Sequence, residues 1–136
     1  MNRMTGTPPD NDDDWHRAAE TIAAVHATTS GWPQRPGSAT ATELVTAATT
    51  SGDVDLDAMP DEVVEWCRRA WSELDAAPVG VVHADLRAGN VLLSVDTVAL
   101  IDWDESRVDV AAFDRGALPS PLAPRVERRA AAAWEV

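Results

Sequence analysis

Apolar residues recur along this chain in two different periods, and the change of period divides it. From Trp15 to His26 the spacing is helical. Trp15, Ala18, Ala19, Ile22, Val25 and His26 form one stripe, on a segment that Asp12-Asp13-Asp14 opens. Three acids suit the positive end of a helix dipole, with Asp12 or Asp13 placed to cap it, and Gly31 follows the stop near Thr29. A second stripe, Val63, Val64, Trp66, Cys67, Ala70, Trp71 and Leu74, predicts a helix from Pro60 to about Ala76. Residues 40–50 can make a shorter one. Between Val79 and Asp104 the pattern becomes VGVVHADLRAGNVLLSVDTVALIDWD, which reads as strand, tight loop, strand, turn, strand. Residues 80–83 are the first strand, 91–94 the second and 98–101 the third. The turn at 95–97 is short enough to make the last two a hairpin.

The remaining segments connect. Residues 1–11 are polar, carry Pro8-Pro9 and read as a disordered tail. Residues 31–38, GWPQRPGS, form a loop stiffened by Pro33 and Pro36, with Trp32 expected against the core. Residues 51–58 read as a solvated turn; their three spaced Asp residues lack the Gly and Glu spacing of a calcium loop. Pro119, Pro121 and Pro124 interrupt the chain before a last helix over 125–135. The fold class is α+β and mostly helical, with residues 12–136 as one domain behind the tail.

Composition narrows the function. A chain of 136 residues with 45% hydrophobic content builds one modest core. The net charge of −12 argues against nucleic acid. It suits a cationic small molecule such as an aminoglycoside or an amino alcohol, and it equally serves solubility alone. One cysteine, Cys67, allows no internal disulfide and fits a reducing cytoplasm. It lies on a buried helical stripe, where an inert thiol is expected. No apolar run is long enough for a membrane span.

The chemistry-bearing residues gather at the ends of the predicted strands. The hairpin carries Asn90 where one strand starts and Asp102 where the next ends, so the two side chains are expected to be neighbours. An amide oxygen beside a carboxylate makes a hard-oxygen site suited to Mg²⁺, with substrate phosphates completing the shell. Asp85, across the loop, can take a proton from a hydroxyl or orient it. Any one of these Asp residues alone reads as a turn cap; the set of three is what points to chemistry. His26, a lone histidine on an apolar stripe, is read as packed at a helix end.

His83-Ala84-Asp85-Leu86 followed by Asn90 resembles the catalytic loop of the protein-kinase-like superfamily, H-x-D-L-x-x-x-N. Ile101-Asp102-Trp103 resembles its metal-binding Asp motif. The flavour is that of the aminoglycoside phosphotransferase family and its choline-kinase-like relatives, most closely over residues 81–114, with residues 15–37 similar more loosely. The resemblance implies a kinase that transfers the γ-phosphate of ATP or GTP to a small-molecule hydroxyl with Mg²⁺. Asp85 would be the catalytic base or hydroxyl-positioning group. Asn90 and Asp102 would hold the metal and, through it, the nucleotide. His83, Asp109 and Asp114 would support the loop. Ala84 replaces the usual Gly, and Asp114-Arg115-Gly116 replaces D-L-A, which puts a charge and a flexible residue where apolar packing is expected.

The resemblance covers part of a C-terminal lobe only. In kinase-like enzymes a strand lysine of the N-terminal lobe pairs with the nucleotide phosphates. This chain has no lysine and no Gly-rich phosphate loop. Two further readings therefore stand beside the enzyme. One is a non-catalytic remnant or interaction module that lacks an N-terminal lobe, or needs a second chain to supply it. The other is a small acidic protein that binds a partner through Trp-rich helices.

Overall fold

The structure is a computed structural model that describes residues 5–76, 78–119, 122 and 125–134. Its first helix, α1 (Asp12–Thr28), starts one residue before the predicted caps: the Asn11 side chain accepts the Asp14 amide at 3.0 Å. The three acids fill the first turn, where the helix dipole favours them. Ala18, Ile22 and His26 face inward, and Gly31 leaves the helix with φ +83°. Upstream, residues 5–11, predicted as part of a disordered tail, run beside the molecule. Thr7 exchanges two backbone hydrogen bonds with Leu93, at 2.9 and 2.8 Å. Residues 1–4 of that tail lie outside the described residues.

Helix α2 (Ala41–Thr46) opens on a reciprocal cap between Thr40 and Glu43. It stops well before residue 50, because the next residues turn into a small hairpin of β1 (Thr50–Ser51) and β2 (Val54–Asp55). Gly52, at φ +56°, takes the first position of its two-residue loop. Ser51, Val54 and Leu56 are buried there, so this segment is not the solvated turn that its three Asp residues predicted. After a single tight turn at Leu56–Ala58, α3 (Asp61–Ser72) begins with Pro60 at its N-cap. Its buried line is Cys67, Ala70 and Trp71. Trp66, about 100° round the helix from Cys67, is 42% exposed rather than buried, and Trp32 in the first loop is 56% exposed rather than packed.

The expected strands follow: β3 (Val79–Val82), β4 (Val91–Leu93) and β5 (Val98–Leu100), the last two antiparallel with Val91 opposite Leu100. β3 does not join that hairpin. It pairs antiparallel with β6 (Arg107–Val110), a strand the sequence pattern did not disclose, with Val79 opposite Val110 and Val82 opposite Arg107. The inward positions of β6 are Arg107 and Asp109, so its alternation is inverted and reads as polar connection. Helix α1 lies against β3, closely enough that a Cβ on Gly80 would sit 2.4 Å from the His26 carbonyl oxygen. The short α4 (Ala112–Arg115) and the final α5 (Arg125–Trp134) complete the chain.

Two apolar clusters result, one on each side of the loop after β3. Leu44, Leu56, Cys67, Trp71, Val82 and Phe113 pack between α2, α3 and α5. Ala18, Ile22, Leu86, Val91, Leu93 and Leu118 pack under α1 and the β4–β5 hairpin. Val82 and Leu86 belong to different clusters, so the loop between them is held from both sides. The helices and three short antiparallel pairings make an α+β fold, and no described helix is long and apolar enough to cross a membrane.

Candidate active site

The loop after β3 is held by one buried carboxylate. Asp114, at the start of α4, accepts the His83 amide at 2.8 Å and the Ala84 amide at 2.9 Å. Its Oδ2 also meets His26 Nε2 at 2.7 Å, and both residues are almost fully buried. Three chain segments far apart in sequence therefore meet at one group: the end of α1, the loop after β3 and α4. Asp114, expected to support the loop, makes these two bonds to its backbone. His26, read as a packed helix-end residue, is packed and is also the loop's third tie; its position at the end of an apolar stripe carried no sign of the partner.

His83 points the other way. Its Nε2 lies 2.7 Å from the Ile101 carbonyl, and its Nδ1 accepts the Asp85 amide at 3.2 Å. Together these specify a neutral ring protonated on Nε2. Trp103 packs against it with the rings tilted and their centres 4.7 Å apart, and is itself fixed by a bond from its indole N–H to the Leu100 carbonyl. His83 thus ties the loop to the end of β5, the strand that leads into Asp102.

Asp85 and Asp102 follow β3 and β5, and Asn90 immediately precedes β4. Asn90 is buried and its Nδ2 donates to the Asp85 carbonyl at 2.8 Å and to the Asp85 carboxylate at 3.1 Å. Its own carbonyl accepts the Ile101 amide at 3.0 Å, which sets Asp102 one residue beyond. Asp102 is exposed and adopts φ +61°, and Ala84 adopts φ +70°. These two are the only non-glycine residues at positive φ among the described residues, and both flank the predicted chemistry, where strained backbone tends to be retained. The Arg87 guanidinium lies 3.6 Å from the Asp85 carboxylate.

With its amide nitrogen committed to Asp85, Asn90 leaves its side-chain oxygen to face elsewhere, and the Asp102 carboxylate has no hydrogen-bond partner among the described residues. No group of three or more His, Cys, Asp or Glu side chains among the described residues could hold a metal by itself. Two hard oxygens from protein, with the rest from phosphate and water, is a donor set that suits Mg²⁺.

Asp109 stands apart from this group. Fully buried, it accepts the Ala41 amide at 2.9 Å, the Val110 amide and the Arg107 Nε–H at 2.8 Å. It anchors the start of α2 to β6 and makes no hydrogen bond to the loop, so its support of the loop is indirect. Burial pushes the Asp109 carboxyl up and the Arg107 guanidinium down, each opposed by the other's charge. Arg107 is capped by the Trp134 ring 3.5 Å away, and its Nη2 has no partner among the described residues. Gln34, from the proline-stiffened loop, donates to and accepts from Val108 at 2.7 and 3.0 Å, extending β6 at its free edge.

A family model described as phosphotransferase enzyme family matches residues 1–135. The chain belongs to that family. No individually curated protein matches it. Membership of the phosphotransferase family brings kinase-like phosphotransfer as the general chemistry. It also gives the departure after Asp114 a local explanation in this member. Arg115 pairs with Glu127 at 2.7 Å, and Gly116 lets α5 approach so closely that a Cβ there would lie 2.1 Å from the Glu127 carbonyl oxygen. The charge and the small residue together clamp α5 onto α4.

Proposed function

We propose that this protein is the catalytic-loop portion of a protein-kinase-like lobe and transfers the γ-phosphate of ATP or GTP to the hydroxyl of a small molecule. The observation that carries the reading is the hydrogen bonding of Asn90. It joins Asp85 through its side chain and the approach to Asp102 through its backbone. Phosphoryl transfer asks a protein mainly for positioning and charge neutralisation, and this set supplies the positioning with three side chains.

Asn90 and Asp102 are the residues that would hold Mg²⁺. The metal would neutralise charge on the nucleotide phosphates. Asp85 orients the acceptor hydroxyl, its carboxylate held by Asn90 and Arg87, and receives the hydroxyl proton. The acceptor oxygen bonds to the γ-phosphorus as the bond from phosphorus to the departing diphosphate oxygen breaks. His83 and Asp114 fix the loop without touching the reacting atoms. Acceptor binding falls to a cleft beside Asp85.

A second reading has its own observation. The chain contains no lysine, so the phosphate-facing lysine of kinase-like enzymes must come from another lobe or chain. Without it, the protein is a non-catalytic module that keeps the loop geometry. Calorimetry of Mg–ATP and Mg–GTP with the purified chain separates the two. The enzyme reading expects binding that Asp102→Asn abolishes, and phosphate transfer that Asp85→Asn abolishes while nucleotide binding persists. A folded chain that binds neither nucleotide would refute independent catalysis and leave the module.

A further inference from the structure

A cleft of about 420 Å³ opens beside Asp85, between the catalytic-loop segment and α5. Asp85, Arg87, Phe113 and Arg128 line it, and neither Asn90 nor Asp102 does. It is thus a flank of Asp85 separate from the oxygens assigned to the metal, which is where an acceptor would sit. Its floor is apolar and made of small side chains, including Ala84, Ala131 and Ala132.

The cleft sets two guanidiniums against two carboxylates, whereas the whole protein is strongly acidic. Asp114 also borders it, but its carboxylate is already occupied by three N–H groups. Asp85 is the reacting group. The other two charges are both arginines. Arg87 leans on Asp85, whereas Arg128 makes no ion pair among the described residues, although Glu127 and Arg129 on either side of it are both paired. The helix that carries Arg128 is held in place. The Arg115–Glu127 pair and the Gly116 contact clamp one side of its helix, and the Trp71 indole N–H bonds the Ala130 carbonyl at 3.2 Å on the other.

Resting on the phosphotransferase reading, we infer that the acceptor is a small hydroxy acid, its carboxylate taken by Arg128 and Arg87 and its hydroxyl presented to Asp85. The net charge of −12 favours cations at long range, but beyond about 8 Å such fields are screened at physiological salt. Inside the cleft the two guanidiniums decide, and arginine suits carboxylates through paired N–H donors.

The test uses three ligands of one length: 4-hydroxybutyrate, 1,4-butanediol and 4-amino-1-butanol. Each is titrated into the ¹⁵N-labelled full chain without nucleotide, following the amides of Ala84, Asp85, Arg87 and Gly116. The expected result is 4-hydroxybutyrate binding about tenfold more tightly than the diol, the amino alcohol weakest, at low salt. Arg128→Gln should remove most of that preference and Arg128→Lys should retain much of it; Arg128 is exposed, so both variants fold. Preference for the amino alcohol, no binding of any ligand at these amides, or an unchanged preference in Arg128→Gln would each overturn the inference. Turnover with Mg–ATP is read separately. Selective binding without turnover would count against the phosphotransferase reading and leave the anion specificity of the cleft established.

Discussion

Replacing Asp114 with Asn changes one atom and should undo the joint that holds the loop after β3. The carboxylate accepts three N–H groups, His26 and His83 on one oxygen and Ala84 on the other. An amide can accept on one side only. Its best orientation turns the oxygen to His26 and His83 and sets its own N–H₂ against the Ala84 amide. One bond is lost, a buried donor faces a donor, and the other two bonds lose the assistance of charge. Bonds to charged groups contribute about 1.5–3 kcal/mol and an unsatisfied buried group costs about 1–3 kcal/mol, which together give about 3–5 kcal/mol. A domain of this size has a total stability of about 5–15 kcal/mol. With a urea slope near 2 kcal/mol/M, the unfolding midpoint of Asp114→Asn should fall by about 2 M. Amide exchange at His83 and Ala84 should accelerate more than at Leu44 or Cys67, whose amides make no bond to Asp114. His26→Gln supplies a milder check at about 1–2 kcal/mol, and combined with Asp114→Asn it should add less than its separate effect. A midpoint shift below about 0.5 M, or unchanged exchange at Ala84, would show that the loop is held by other contacts.

Two further substitutions test local features. Ala84 carries φ +70°, a conformation that costs an L-residue about 1–2 kcal/mol, so Ala84→Gly should raise stability by about 0.5–1 kcal/mol after the glycine's greater unfolded-state freedom is counted; a lower melting temperature would contradict the assigned backbone. Cys67 is fully buried and its burial pushes the thiol pKa up from the ordinary 9.0. The folded state therefore favours the protonated thiol, and the stability this contributes is present below pH 9.0 and is lost as pH rises through the folded pKa. Cys67→Ala should flatten the alkaline fall in stability, and in the native protein an aromatic disulfide reagent should label Cys67 only at the rate of unfolding; rapid labelling at pH 8 would refute its burial.

The sequence by itself determined the helices that carry apolar stripes, the β4–β5 hairpin, and the positions of Asp85, Asn90 and Asp102 at strand ends. Those features are local. A strand's end and a helix's stripe are properties of a few adjacent residues, and residue spacing records them. It also marked His83 and Asp114 as supports. It missed what depends on distant partners. β6 escaped because Arg107 and Asp109 occupy its inward positions, and only pairing with β3 and the cap on α2 makes burying them tolerable. Leu56 is buried in the cluster with Leu44, Cys67 and Trp71, and Ser51 bonds both backbone groups of Ala39, contacts that a turn-like composition does not announce. Trp66 is exposed because Cys67, Ala70 and Trp71 take the inward line of α3. The tie from His26 to Asp114 spans 88 residues, and no local pattern encodes it. The overall charge likewise argued for a cationic ligand, whereas the two arginines beside Asp85 come from a loop and a helix that only the tertiary structure brings together.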